Sequence, residues 1–230
     1  MTTLITEERC MAQEARRRDY EGVLLQEDGF VVKTITNDID WAKAYRLRHA
    51  IFCNELKWVL RSENGMESDE YDDCAVFFGV FDKNHTLLAF LRLILPDRLF
   101  MMEKEFRSLV HQDHVIRKLP DTVEISRLCV APDARTNGGG NFGIHRLSLV
   151  LFKGVYQWCL ANGIRYLYAV TELKIYRLYC IKGFPYKLIG GPENMPDGVT
   201  IVAVMMDWDE FEQSNAVSRP ELAAWFRQDQ

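Results

Sequence analysis

Charged side chains of both signs recur in this sequence at spacings that suit the handling of an amino acid or an anion. Glu67-x-Asp69-x-x-Asp72 lies in the acidic stretch Ser62–Asp73 (SENGMESDEYDD), with Arg48 before it and Arg92 after it. Two arginines and three carboxylates can close an ion-pair network. They can also hold the ammonium and carboxylate of an amino acid together, since an arginine fork matches a carboxylate and an aspartate accepts from an ammonium. Ordinary solvated surface charge is the competing reading, and the spacing is not that of an EF-hand loop. Glu124 and Arg127 share the apolar run VEISRLCV; residues three apart on a strand face opposite ways unless a bulge intervenes. A carboxylate set among apolar neighbours is suited to proton transfer, whereas one pointing to solvent is not.

Two further constellations could contact a ligand. Phe52 and Trp58 can clamp a flat or cationic group by stacking, or can be plain core. Arg135-Thr136-Asn137-Gly138-Gly139-Gly140 places R-x-x-G-x-G between a predicted strand and a predicted helix. There, backbone N–H groups and the helix dipole would suit a pyrophosphate; the alternative is a surface loop. His111-x-x-His114 has metal-like spacing but no third ligand, and we read it as surface with no metal site. Walker, G-x-S-x-G and H-E-x-x-H motifs do not occur.

Elements must carry these residues into place. Gly29–Thr36 reads as a first strand, and Asn37 or Asp38 can cap a helix through about Glu55. Ala75–Phe81 and Leu87–Ile94 read as a hairpin, followed by a helix around Met102–Leu109. Val123–Val130 is a strand, Phe142 to Asn162 a helix, Tyr166–Val170 a strand, and Glu172–Ile181 a helix; late strands fall near Phe184–Leu188 and Thr200–Met206. This order predicts an α/β fold, a three-layer mixed sheet flanked by helices. The expected organisation is an arm over residues 1–28, a domain over 29–215 and a tail over 216–230.

Composition narrows the function classes. The 230 residues are 48% hydrophobic and 27% charged, which excludes a disordered chain. Twenty-eight Lys+Arg against 33 Asp+Glu leave a net charge of −5, which disfavours nucleic acid as the partner. The 6 cysteines include no C-x-x-C pair, and no signal peptide or membrane span is visible, so reduced thiols in a cytoplasmic protein are expected.

Taken in order, Arg48-x-x-x-Phe52, Trp58, Glu67-x-Asp69-x-x-Asp72, Arg92 and Glu124-x-x-Arg127 resemble the acyl-homoserine-lactone synthases, the LuxI-type autoinducer synthases of quorum sensing. The segments YRLRHAIFCNELKW, NGMESDEYDD, LRLILP, EISRLCV and GFPYKLIGGP carry the likeness over about residues 40–210. The resemblance implies a GNAT-like acyltransferase fold and a two-step reaction. An acyl thioester, from acyl-CoA or acyl carrier protein, acylates the amine of S-adenosylmethionine; lactonisation then expels methylthioadenosine. It implies that Arg48, Phe52, Trp58, Glu67, Asp72 and Arg92 form the S-adenosylmethionine side and that Asp69, Arg127 and Glu124 are catalytic, Glu124 as the base. It places the acyl donor at Arg135, Gly138 and Gly140, and the acyl pocket at Leu149, Phe152, Val170 and Thr171. S-adenosylmethionine and the thioester are substrates, and no further cofactor is implied. Lys153, Lys174, Arg177 and Lys182 could meet an acidic carrier protein, or be solvated helix charge.

The chain departs from the family pattern in its long arm, in the spacing before Arg92 and in the R-x-x-G-x-G loop, which is closer to CoA-dependent GNAT enzymes. An N-acyl amino acid synthase using acyl-CoA is the alternative enzyme, and a catalytically silent sensing domain the alternative outside catalysis.

Overall fold

A computed structural model describes residues 20–136 and 142–228. The chain divides into two compact units, one built from residues up to Arg92 with Arg127–Trp158, the other from Leu93–Ser126 with Cys159–Gln228.

In the first unit, β1 (Leu24–Glu27) and β2 (Phe30–Thr34) form a tight antiparallel hairpin, and β2 pairs antiparallel with β3 (Ala75–Phe81). β4 (Leu87–Ile94) lies beside β3, and the second half of β5 (Thr122–Val130) lies beside β4. Helix α1 (Asp38–Arg48) begins where the Asn37 side chain accepts from the Asp40 N–H at 2.9 Å. Such a cap satisfies a donor that the helix cannot. The helix then widens through His49–Glu55, where Leu56 N–H donates to the Ile51 carbonyl in a five-residue step. Wide turns of this kind re-aim side chains and are frequent at functional sites.

Alternation on β3 sends side chains to both faces. Phe77 and Phe81 join Ile35, Ile51 and Phe52 in one buried cluster. Phe78 meets the Trp158 ring of α4 (Phe142–Ala161) edge-on at 5.6 Å, in the opposite layer. A Cβ at Gly154 would come within 2.5 Å of Val32 Cγ1, so glycine is what lets α4 approach β2. The short helix α3 (Pro132–Thr136) follows β5.

In the second unit, the first half of β5 pairs parallel with β6 (Tyr166–Glu172), which pairs antiparallel with β9 (Thr200–Asp207). β7 (Lys187–Leu188) and β8 (Glu193–Asn194) are short partners of β9. Helix α2 (Met101–Lys104) lies in the excursion between β4 and β5, and α5 (Leu173–Ile181) follows β6. Helices α6 (Trp208–Ser218) and α7 (Pro220–Arg227) pack through Phe211 and Phe226, whose ring centroids are 4.9 Å apart. Both parallel and antiparallel pairs occur, as the mixed-sheet expectation requires.

Several differences from the sequence reading have plain causes. β1 falls inside the span read as an arm, because a four-residue strand among polar neighbours carries little periodic signal. The span read as a tail is helical, with Phe226 fully buried. Lys153, read as part of a basic surface, is also fully buried on α4, its Nζ 2.5 Å from Glu27 Oε2 of β1. Residues 1–19, Gly138 and Gly140 lie outside the described residues.

Removing one partner of a buried pair strands the other charge, at a cost of about 3–5 kcal/mol. Lys153→Met is therefore expected to lower the urea midpoint strongly, and Lys153→Met with Glu27→Leu to recover most of the loss. Equilibrium unfolding of the three chains checks this.

Candidate active site

Six of the ionisable residues singled out in the sequence, Arg48, Glu67, Asp69, Asp72, Arg92 and Arg127, converge in the first unit. Arg48 leaves the last turn of α1 and is fully buried. Its Nε donates to Glu67 Oε2 at 2.5 Å and its Nη1 to Asp72 Oδ1 at 2.7 Å. Arg92, fully buried on β4, donates through Nη1 to Asp69 and to Asp72 Oδ1, and through Nη2 to Asp69 Oδ2 at 3.0 Å. Arg127 of β5 donates through Nη2 to Glu67 Oε1 at 3.1 Å and to Asp69 Oδ2 at 2.8 Å. Three guanidinium groups thus face three carboxylates, and the cluster is neutral.

The acidic loop is shaped to serve these arginines. Asp69 caps a short helical turn, Glu70–Cys74: its Oδ1 accepts from Tyr71 N–H at 3.0 Å, while its own N–H donates to Asp72 Oδ2 at 2.8 Å. This reciprocal cap fixes both aspartates before the arginines reach them. Asp-x-x-Asp is the signal that could have located the turn in the sequence. Glu67 N–H is held by the Tyr45 carbonyl at 3.0 Å. Arg127 has φ +54°, so the regular alternation of β5 breaks at Arg127 itself. A left-handed arginine inside a strand is strained, and such strain persists where surrounding contacts over-determine it.

Burial and charge oppose one another at each member. Burial pushes the Glu67 and Asp69 carboxyls up, yet the arginines around them outweigh it and hold both below the ordinary carboxylate range. Burial alone would loosen the protons of Arg48 and Arg92. Asp72 acts against this at both arginines, with Glu67 at Arg48 and Asp69 at Arg92, and the net shift is upward. Asp69 accepts from Arg92 Nη1, Arg92 Nη2, Arg127 Nη2 and Tyr71 N–H. The side chains of Asp69 and Arg127 are 20% and 13% exposed, against 5% or less for the other four, so they form the edge that a ligand can meet.

Phe52 is buried and Trp58 is 46% exposed, their rings 6.3 Å apart. Arg127 lies over the Phe52 ring at 5.3 Å, which joins this aromatic pair to the charge cluster. Arg135 donates to the Val130 carbonyl at 3.0 Å and to Glu55 at 2.5 Å, so its charge is engaged within the protein. On α4, Leu149 is half-buried and Phe152 buried; on β6, Val170 and Thr171 are half-buried.

Glu124 belongs to the second unit and is 1% exposed. Its Oε2 accepts from Met101 N–H at 2.5 Å and its Oε1 from Met102 N–H at 3.0 Å. Both oxygens therefore serve the start of α2, a partnership that leaves no trace in residue types. Tyr168, which the sequence did not single out, stands beside Glu124 in the β5–β6 register. His114 Nε2 lies 3.3 Å from the Tyr168 hydroxyl.

The profile of the family described as Autoinducer synthase matches residues 33–216. The chain belongs to that family. The acyl-homoserine-lactone synthase of Rhizobium radiobacter is 28% identical over 158 residues, which cover 68% of this chain and 74% of that protein. Among solved structures, the CoA-dependent acyl-homoserine lactone synthase BjaI with SAM and isopentyl-CoA superposes with a TM-score of 0.64 at 26% identity, over 76% of this chain and 80% of that one. TofI, in a ternary complex with an inhibitor and MTA, superposes with a TM-score of 0.66 at 22% identity over 88% and 99%, which supports the fold. Membership makes the chain an acyltransferase of GNAT-like fold that synthesises an acyl-homoserine lactone, rather than an N-acyl amino acid synthase.

The depressed carboxyls make stability depend on acid. A carboxylate with a lowered folded pKa stabilises above its unfolded value, about 3.9–4.3, and that stability is lost as pH falls through the folded value. Unfolding free energy measured from pH 5 downward should fall less steeply in Glu67→Gln and Asp69→Asn than in the wild type. At pH 7 each variant should already be less stable by about 3–5 kcal/mol.

Proposed function

We propose that the neutral cluster of Arg48, Glu67, Asp69, Asp72, Arg92 and Arg127 is the S-adenosylmethionine side of the active site. The observation that carries this reading is the partial exposure of one anion and one cation, Asp69 and Arg127, on an otherwise buried and mutually fixed network. An amino acid brings an ammonium and a carboxylate, and an edge that offers an aspartate and an arginine complements both. Trp58, half-open beside Phe52, offers a ring face to the sulfonium.

The reaction then runs in two bond exchanges. The neutral amine attacks the thioester carbonyl carbon, the C–S bond breaks, and the thiol leaves with the amine's proton. The substrate carboxylate next attacks its own γ-carbon, the C–S bond to the sulfonium breaks with its electron pair going to sulfur, and methylthioadenosine departs from the lactone. Charge that develops on the thioester oxygen is met by backbone N–H groups around Leu128 to Val130. The amine of an amino acid titrates at about 7.7–8.0, and a nearby sulfonium lowers it, which supplies neutral amine at neutral pH. We assign Val170 and Thr171 of β6 to the acyl wall; Leu149 and Phe152, also expected there, belong to the other unit.

We assign the donor as acyl-CoA, with the R-x-x-G-x-G stretch as the part that meets its pyrophosphate; Gly138 and Gly140 lie outside the described residues, and Arg135 itself is held by Glu55 and the Val130 carbonyl. Burial of Lys153 against Glu27 and pairing of Lys174 with Glu172 at 2.6 Å weaken the surface that would have met an acidic carrier protein. The likeness to a CoA-dependent synthase supports the same choice. A cytoplasmic location suits the free thiols of Cys53, Cys74, Cys129, Cys159 and Cys180. Among the described residues no helix is long and apolar enough to cross a membrane.

Mass spectrometry after incubation with S-adenosylmethionine and matched panels of acyl-CoA and acyl carrier protein thioesters tests this. Lactone and methylthioadenosine in equal amounts from acyl-CoA are expected, and Asp69→Asn should cut the rate at least about a hundredfold, as removal of a preorganised charge does. Transfer without methylthioadenosine would refute the acceptor, and turnover from carrier protein alone would refute the donor.

A further inference from the structure

Residues 95–121, between β4 and β5, return to β5 and β6 at two places. Near the start, the Glu124 carboxylate takes the N–H groups of Met101 and Met102. Near the end, the Tyr168 hydroxyl accepts from Arg117 N–H at 3.2 Å and lies 3.3 Å from His114 Nε2. Glu124 and Tyr168 are direct partners in the parallel β5–β6 register, so their side chains leave the same face of the sheet. Both are 1% exposed. The Tyr168 ring lies 6.2 Å from the Phe100 ring and 6.0 Å from the His114 ring, so this face is the one that the excursion covers.

We propose that Glu124 and Tyr168 are positioning residues, a two-point latch that holds the 95–121 excursion over the sheet face carrying Val170, and that Glu124 is not the base of the reaction. Val170 follows Tyr168 by two residues on β6 and shares its face. Phe100 and Met102 of the excursion are both fully buried, and the Phe100 ring is the apolar group that the latch brings to this side. A loosened latch releases the acyl wall, so the latch governs the fit of the acyl chain. Glu124 is committed elsewhere: a neutral carboxyl accepts hydrogen bonds much more weakly than a carboxylate, so each proton it took would slacken α2. This inference rests on the acyl-wall assignment made above.

Full-length Glu124→Gln, Glu124→Ala and Tyr168→Phe test the latch. Amide hydrogen exchange is read at Met101, Met102 and Arg117; kcat, donor KM and chain-length preference are read from pH 6 to 9. A latch predicts faster exchange across 95–121 in all three variants. Donor KM should rise about tenfold, on the scale of a lost buried hydrogen bond, with a broader chain-length preference and kcat within about tenfold of wild type. The pH at which the rate rises should not move, and acetate should not restore Glu124→Ala. A base is worth about 10²–10⁴-fold. A kcat loss of that size in Glu124→Gln, rescue of Glu124→Ala by acetate, or a Tyr168→Phe chain with unchanged exchange and donor KM would overturn the proposal. Tyr168→Phe keeps the packed ring, so it decides the question should a Glu124 variant not fold. If the wild type makes no lactone, the functional reading fails, and exchange at Met101, Met102 and Arg117 still decides whether the latch exists.

Discussion

Six ionised side chains removed from water must balance one another, and that requirement organises the first unit. A lone buried charge costs several kcal/mol, so none of Arg48, Arg92 or Glu67 is tolerable until its partners arrive. The partners come from the end of α1, the acidic loop, β4 and β5. Closing the network therefore fixes four stretches of chain together. Arg48 is the tightest case: it lies near the rings of Tyr45, Phe77 and Phe90, and its Nη2 has no hydrogen-bond acceptor among the described residues, with Asp69 Oδ2 3.7 Å away. Its charge is neutralised, but its hydrogen bonding is not complete.

Such a cluster is costly as a stabilising device, since apolar side chains of like volume often do as well or better. On the proposed reading its value lies in preorganisation. Fixed charges need not reorient as a zwitterion binds or as charge moves during reaction. Only the edge formed by Asp69 and Arg127 reaches solvent appreciably, while the interior holds that edge still. The left-handed backbone of Arg127 accompanies the contacts of its guanidinium with Glu67 and Asp69.

What the sequence made legible follows from how local each signal is. The hairpin of β3 and β4 was readable to the residue, because two buried apolar runs flank a polar turn. The helix start was readable as Asn37 or Asp38, and Asn37 is the cap. The members of the charge cluster were readable as residue types in family order, but their pairing was not, because Arg127 and Glu67 are 60 positions apart. Lys153 was misread for that reason too: a lysine on an amphipathic helix looks solvated unless its partner is known, and Glu27 is 126 positions away. Glu124 carried the right chemistry in the sequence, yet its partners are backbone N–H groups. Tyr168 looked like one more aromatic in an apolar strand.

The central claim is that the exposed edge of the charge cluster receives the amino-acid end of S-adenosylmethionine. A crystal structure of the chain with that molecule measures this directly. The expected result is a substrate carboxylate or ammonium within hydrogen-bond distance of Arg127 or Asp69, with the sulfonium near Trp58 and the pairing of Arg48, Arg92, Glu67 and Asp72 undisturbed. S-adenosylmethionine bound elsewhere, with Asp69 and Arg127 still facing only water, would contradict it.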